Sequence, residues 1–281
     1  MPKRLMWTLL ASGLALLASS TPATADRTRP ELALSTDVST VEVLPQPCPR
    51  SGFELRFGNA GARAVYADAF VDAPPELRVS REVVTSYLPA GYELKVRVQV
   101  TAAVGTVPGE YALTLRAGNA RRTLPVTVLP APENPTGNLA RFATVLASSE
   151  HLPVYPACGT TDGDRDSAHW GSSTGWNDGT RGRFPDWLQV TFPALSTVGR
   201  VDLYTLDSAR YPAARYGLRD WDVQVDSGGQ WVTVAQVRGN TAGLASSVFA
   251  PVSTQAVRIL TLASNEGLTY SRVVELEASP A

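Results

Sequence analysis

The sequence predicts an all-β protein made of two consecutive sandwich domains. Three observations predict it. Apolar residues recur at every second position through most of the chain, hardly any segment carries a helical period, and a proline-rich stretch divides the chain near its middle.

The chain opens on a segment expected to be removed. Lys3 and Arg4 precede a nearly unbroken apolar run from Leu5 to Ala18, and Ala23-Thr24-Ala25 forms an A-x-A cleavage site before Asp26. Residues 1–25 therefore read as a secretory signal peptide. The apolar run is short for a membrane span and no second candidate follows, so the expected product is secreted, with no membrane span. No cysteine at the cleavage site invites a lipid anchor.

The first domain is expected over residues 26–129. In ELKVRVQV, Leu94, Val96, Val98 and Val100 face one way, while Lys95, Arg97 and Gln99 face the other. Tyr111, Leu113 and Leu115 repeat the pattern, as do Leu124, Val126 and Val128. Turn signals separate these runs at Gly58-Asn59-Ala60-Gly61, Ala90-Gly91, Pro108-Gly109 and Gly118-Asn119. Short alternating strands at this spacing point to an immunoglobulin-like sandwich. Residues 130–137, PAPENPTG, carry three prolines and little to bury, and form a stiff linker.

The second domain, residues 138–281, alternates again. DWLQVTF places Leu188, Val190 and Phe192 on one face, or else Trp187 on the other. WDVQVDSGGQWVTV reads as a hairpin around Ser227-Gly228-Gly229. AVRILTL and SRVVELEA supply closing strands. Long polar segments at 148–186 and 207–219 are rich in aromatics, arginine and glycine; loops of that length on a rigid scaffold are where binding residues collect.

The order of motifs in this half resembles a discoidin domain, the coagulation factor V/VIII type C fold. NLARFATVLASSE, DGDRDSAHW, DWLQVTF, VGRVDLYTL, YGLRDWDVQV, GQWVTVAQVRGN, FAPVSTQAVRIL and YSRVVELEA follow one another over about residues 138–278. The likeness is greatest to bacterial family 32 carbohydrate-binding modules, and implies a galactose-binding-like jelly-roll sandwich. The first domain is similar to sandwich modules that accompany bacterial α-galactosidase-type enzymes, on GNAGARA, DAPPELRVS, LPAGYELKVRVQVTA and PGEYALTL. That likeness implies a spacer or docking module without chemistry of its own.

The stretch DGDRDSAHW sets Asp162, Asp164 and Asp166 within five residues, a repulsion that a cation or a solvated turn must relieve. The resemblance implies a structural calcium held by Asp162, Asp164, a hydroxyl or carbonyl at Ser167, and Glu275 from the last strand. Asp166 is a further ligand or a solvated neighbour. An EF-hand is excluded, since the surroundings are β and no glutamate closes the loop.

For the ligand, a sugar needs an aromatic platform beside planar multi-donor groups. The loops offer Trp176 and Asn177, then Arg210, Tyr211, Arg215 and Tyr216, then Tyr270. The resemblance favours Arg215 over Arg219. Trp170, Trp187, Trp221 and Trp231 lie in strand-like patterns and are assigned to the core.

The two cysteines, Cys48 and Cys158, fall in different domains. They are either an inter-domain disulfide or two buried thiols, with a zinc site including His151 and His169 as the sharpest alternative. The chain has 25 basic against 26 acidic residues; without Lys3 and Arg4 the acids lead by three. That is no footprint for nucleic acid. No phosphate loop and no nucleophile motif with a histidine partner occurs, and adjacent loop aspartates do not make a glycosidase pair. The expectation is a non-catalytic, monomeric protein that binds an extracellular glycan or polysaccharide. The alternatives are an adhesion module for protein or lipid, suggested by GLTY and RGRF, and an accessory subunit of a glycoside hydrolase.

Overall fold

The computed structural model describes residues 31–131, 133–171, 174–265 and 270–280. The expected signal peptide, residues 1–25, lies outside them, as do 266–269 of the NEGLTY loop.

Residues 31–129 form two packed sheets from nine strands. These are β1 (Leu32–Thr36), β2 (Val41–Val43), β3 (Ser51–Asn59), β4 (Val65–Asp72), β5 (Leu77–Val79), β6 (Val83–Leu88), β7 (Glu93–Ala102), β8 (Gly109–Ala117) and β9 (Ala120–Val128). One sheet has the order β1-β3-β7-β5 and the other β2-β9-β8-β4-β6. Every pair is antiparallel except β2 with β9. Alternation decides what goes inside. Val98 and Val100 of β7, Leu113 and Leu115 of β8, and Leu124, Val126 and Val128 of β9 are buried, with Phe53, Leu55 and Phe57 of β3 facing them.

The second domain has its own core. Its strands are β10 (Thr144–Ala147), β11 (Trp176–Asn177), β12 (Asp186–Thr205), β13 (Leu218–Ser227), β14 (Gln230–Val237), β15 (Leu244–Ser264) and β16 (Arg272–Ser279). They form one sheet in the order β11-β16-β12-β15-β13-β14, with β10 on the other half of β12. Strand β12 changes partner along its length. Its first residues, Leu188 to Thr191, pair with β10, and Arg200 to Thr205 pair with β16. Register shifts between Thr191 and Arg200 let β12 and β15 bend together, so the sheet curls around Leu188, Val190, Phe192, Leu203, Trp221, Val257, Ile259 and Leu276. Trp221 is buried as expected, whereas Trp187 and Trp231 are half-buried on sheet faces. The β13–β14 turn at Gly228 and Gly229 has φ of +64° and +87°, which glycine alone adopts without strain.

Two ties fasten the domains. Cys48, between β2 and β3, forms a disulfide with Cys158 across 110 residues, with Cα atoms 5.2 Å apart. This excludes both free thiols and a zinc site that uses Cys158. Two residues further on, the Arg50 guanidinium pairs with Asp162. The linker also docks at its end. Asn138 Oδ1 accepts from the Ala278 amide at 3.0 Å, and the Leu139 amide donates to Ala278 O at 2.8 Å.

Candidate functional site

The long loops meet at one end of the second sandwich and enclose a cavity of about 200 Å³. Its lining is His151, Tyr155, Trp170, Asn177, Leu206, Tyr211, Tyr216, Tyr270 and Arg272. The strands bring the polar members together: Asn177 of β11 lies opposite Arg272 of β16. Leu206 follows the end of β12, and a single helical turn, α1 (Ala213–Tyr216), carries Tyr216 after Pro212.

The walls are aromatic pairs. Tyr155 lies on Trp170 with ring centroids 4.9 Å apart, and Tyr211 meets Tyr216 edge-on at 5.1 Å. His151 is 5.7 Å from Tyr155 and 6.5 Å from Tyr270. Gly175, at φ +84°, makes room for the Trp170 ring, because a Cβ there would meet the indole.

The Arg272 guanidinium sits over Tyr270 at 5.2 Å, and its Nη1 is buried without a hydrogen-bond partner. Burial lowers its pKa from the ordinary arginine range, a shift opposed by Asp178 and by the Tyr155, Tyr270 and Tyr216 hydroxyl groups. It remains a cation at neutral pH. A guanidinium with an open donor between aromatic faces recognises an oxygen-rich planar or vicinal-hydroxyl group.

Beneath the cavity lies a buried polar network that holds the loops. Asp178 accepts from the Ser271 amide at 2.6 Å and from the Thr180 amide at 2.7 Å. Asp186 accepts from Ser271 Oγ at 2.9 Å and Ser148 Oγ at 3.2 Å. Desolvation raises the Asp186 pKa above its ordinary 3.8, and these hydrogen bonds only partly offset it. The sign follows from linkage. The folded state holds the Asp186 proton more tightly, so this group's stabilisation is full below about pH 4 and is lost as pH rises through the folded pKa. Asp186→Asn, in thermal unfolding measured against pH, should flatten that decline. An identical pH profile in the variant would contradict it.

The sites expected from sequence divide into three groups. Asn177, Tyr211, Tyr216 and Tyr270 line the cavity together. Trp176 does not: it is fully buried beneath the loops, with Nε1 donating to Ser149 O at 2.8 Å. Its neighbour Asn177 reaches the cavity because successive strand residues face opposite ways. Arg210 and Arg215 are exposed, each over the ring of the tyrosine that follows it, at 5.2 and 5.5 Å, and neither lines the cavity. Five lining residues were missed, Leu206 among them as an apolar residue just past the end of β12. Trp170 was assigned to the core on a strand-like pattern, yet it follows a 3-10 turn at Ser167–His169. His151 and Tyr155 sit in HLPVYP without any periodic signal. Arg272 was legible as the lone cation opening an apolar strand.

The expected calcium ligands make the following contacts within the chain. Asp162 is buried and paired with Arg50. Asp164 turns outward, with Oδ1 accepting from the Asp166 amide at 3.0 Å and Oδ2 2.8 Å from His169 Nδ1. Asp166 caps the following turn by accepting from the Ala168 amide at 2.8 Å. Ser167 Oγ accepts from the Asp207 amide at 3.0 Å. Glu275 is fully buried; Oε1 accepts from the Gly163 amide at 2.9 Å and Oε2 has no partner. Among the described residues, no three His, Cys, Asp or Glu side chains are grouped to hold a metal ion.

Residues 159–259 match the family model of the NedA-like, galactose-binding domain of F5/F8 type C kind. The F5/F8 type C-like, galactose-binding domain at 159–259 lies within the second domain. The match begins at Gly159 and runs through β11 to β15, so it takes in Trp170, Asn177, Leu206, Tyr211 and Tyr216 of the cavity. Solved structures similar to the F5/F8 type C domain include chitosan-binding module 1 of a chitosanase/glucanase from Paenibacillus sp. IK-5. That module is 27% identical, with TM-score 0.41, covering 50% of this chain and 98% of its own. The family 32 module of Clostridium perfringens NanJ, in complex with galactose, is 17% identical over 48% and 91%, with TM-score 0.39. The family 32 module of Streptococcus pneumoniae EndoD is 18% identical over 52% and 100%, with TM-score 0.44. A search of curated proteins finds no match. Among the described residues, no helix is long and apolar enough to cross a membrane.

Proposed function

We propose that the chain is a secreted, monomeric, non-catalytic carbohydrate-binding protein that holds a glycan at the aromatic cavity of its F5/F8 type C domain. One observation carries the reading: Arg272 presents a buried, unpartnered Nη1 among tyrosine and tryptophan rings, beside Asn177. The rings suit the C–H faces of a sugar, and the guanidinium and amide suit its hydroxyls. At about 200 Å³ the cavity is smaller than the usual drug-sized site and fits one terminal sugar unit. None of the described lining residues is a carboxylate, so they supply no acid and base pair for glycoside hydrolysis. The first sandwich serves as a spacer or docking module.

An open site of this size should bind on the order of 0.1–1 mM, about −4 to −5.5 kcal/mol. A glycan array identifies the sugar, and calorimetric titration into the full mature chain measures it. Arg272→Gln and Tyr216→Ala should each weaken binding about tenfold, roughly 1.4 kcal/mol. Wild-type affinity in both variants would move the site elsewhere. Binding to vesicles and to no glycan would replace the reading with a lipid-adhesion one.

A further inference from the structure

We propose that Arg50 of the first sandwich takes the place of a metal ion in the second domain. The acidic loop needs a cation. Asp162 is buried at the end of a segment whose Cys158 is bonded to Cys48, and Arg50 follows Cys48 by two residues. The disulfide therefore delivers the arginine to the loop. Its guanidinium pairs with Asp162 and lies within electrostatic reach of Asp164 and Glu275. Arg141 closes on the same cluster from beneath, against Gly163, where φ is +79° and any Cβ would collide with its guanidinium.

The donor set does not fit calcium while Arg50 is present. Calcium takes six to eight oxygens, and here Asp164 and Ser167 have turned to other partners. Two guanidiniums already share the cluster, and a divalent ion beside them would be repelled. Among the described residues, Glu275 Oε2 is the one buried carboxylate oxygen left unpartnered. Its carboxyl is pushed well above the ordinary 4.5 by burial, with Arg141 and Arg165 among the charges opposing the shift.

Removing the arginine should therefore uncover a cation site. Asp162 would lose its partner beside Gly163, whose amide donates to Glu275 Oε1, with Thr174 Oγ1 3.5 Å from Asp162 Oδ1 and 3.2 Å from Asp164 O. The second domain would then borrow its stabilising charge from solution instead of from the neighbouring domain.

The experiment titrates calcium chloride into the full mature chain and records melting curves in calcium and in chelator. Wild type should bind no calcium, and its two curves should superimpose. Arg50→Ala should melt lower than wild type in chelator, take up one calcium, and regain part of the loss. Arg50→Lys keeps a positive charge and should stay indifferent to calcium. A wild-type melting temperature that rises with calcium overturns the proposal. So does an Arg50→Ala chain that folds and ignores calcium. Should that variant not fold, the wild-type titration and the Arg50→Lys curves still decide it.

Discussion

Trp176→Ala should cost the second domain about 3–5 kcal/mol, read as a lowered midpoint in urea unfolding. The indole is fully buried, and β11 holds it opposite Val273 of β16. Truncation leaves a cavity under the loops and an unpaired Ser149 carbonyl, which now accepts from Nε1 at 2.8 Å. Trp176→Phe should recover much of the packing while leaving that carbonyl unpaired, an intermediate loss. Sugar binding should fall only as the fold loosens, because Trp176 does not line the cavity. A Trp176→Ala protein with wild-type stability and no sugar binding would return the residue to the ligand surface.

Breaking the disulfide should cost a similar amount. Cys48→Ala with Cys158→Ala opens a loop of 110 residues, and the chain-entropy argument assigns such a closure about 4–5 kcal/mol. The loss should not stay in one domain. Cys158 leads into the 3-10 turn Ala157–Thr160 and so to Asp162, while Cys48 leads to Arg50. Without the covalent tie the arginine must find the acidic loop by diffusion within the linker's reach, and the two domains should unfold at separate midpoints. Superimposable unfolding curves for wild type and the double variant would show that the disulfide constrains nothing the rest of the interface does not already hold.

Much of the fold was legible because a strand's signal is local. Alternation with period two says which residues share a face, and Val98, Val100, Leu113, Leu115, Leu188 and Val190 are all buried. The site was half legible. Asn177, Tyr211, Tyr216 and Tyr270 were marked as loop residues with the right chemistry, and all four reach the cavity. Trp170 and Trp176 were exchanged, with the wall taken for core and the core for wall. Neither sits in a run long enough to show a period: Trp176 belongs to a strand of two residues and Trp170 follows a three-residue turn. Arg210 was chosen for its aromatic neighbours and Arg215 also for the family resemblance, but each is exposed and lies over the tyrosine that follows it.

By itself, then, the sequence determined two β cores and a cluster of carboxylates that had to be neutralised. Those follow from residue spacing and from like charges held a few bonds apart. Only the tertiary structure decided what does the neutralising. Asp162 and Arg50 are 112 residues apart, and Gly163 meets Glu275 at the same separation. A charge reads its surroundings through space within a few ångströms, whereas a sequence pattern is read along the chain. The disulfide and the curl of β12 bring those distant residues together, and nothing in DGDRDSAHW records that Asp162 pairs with an arginine of the other domain.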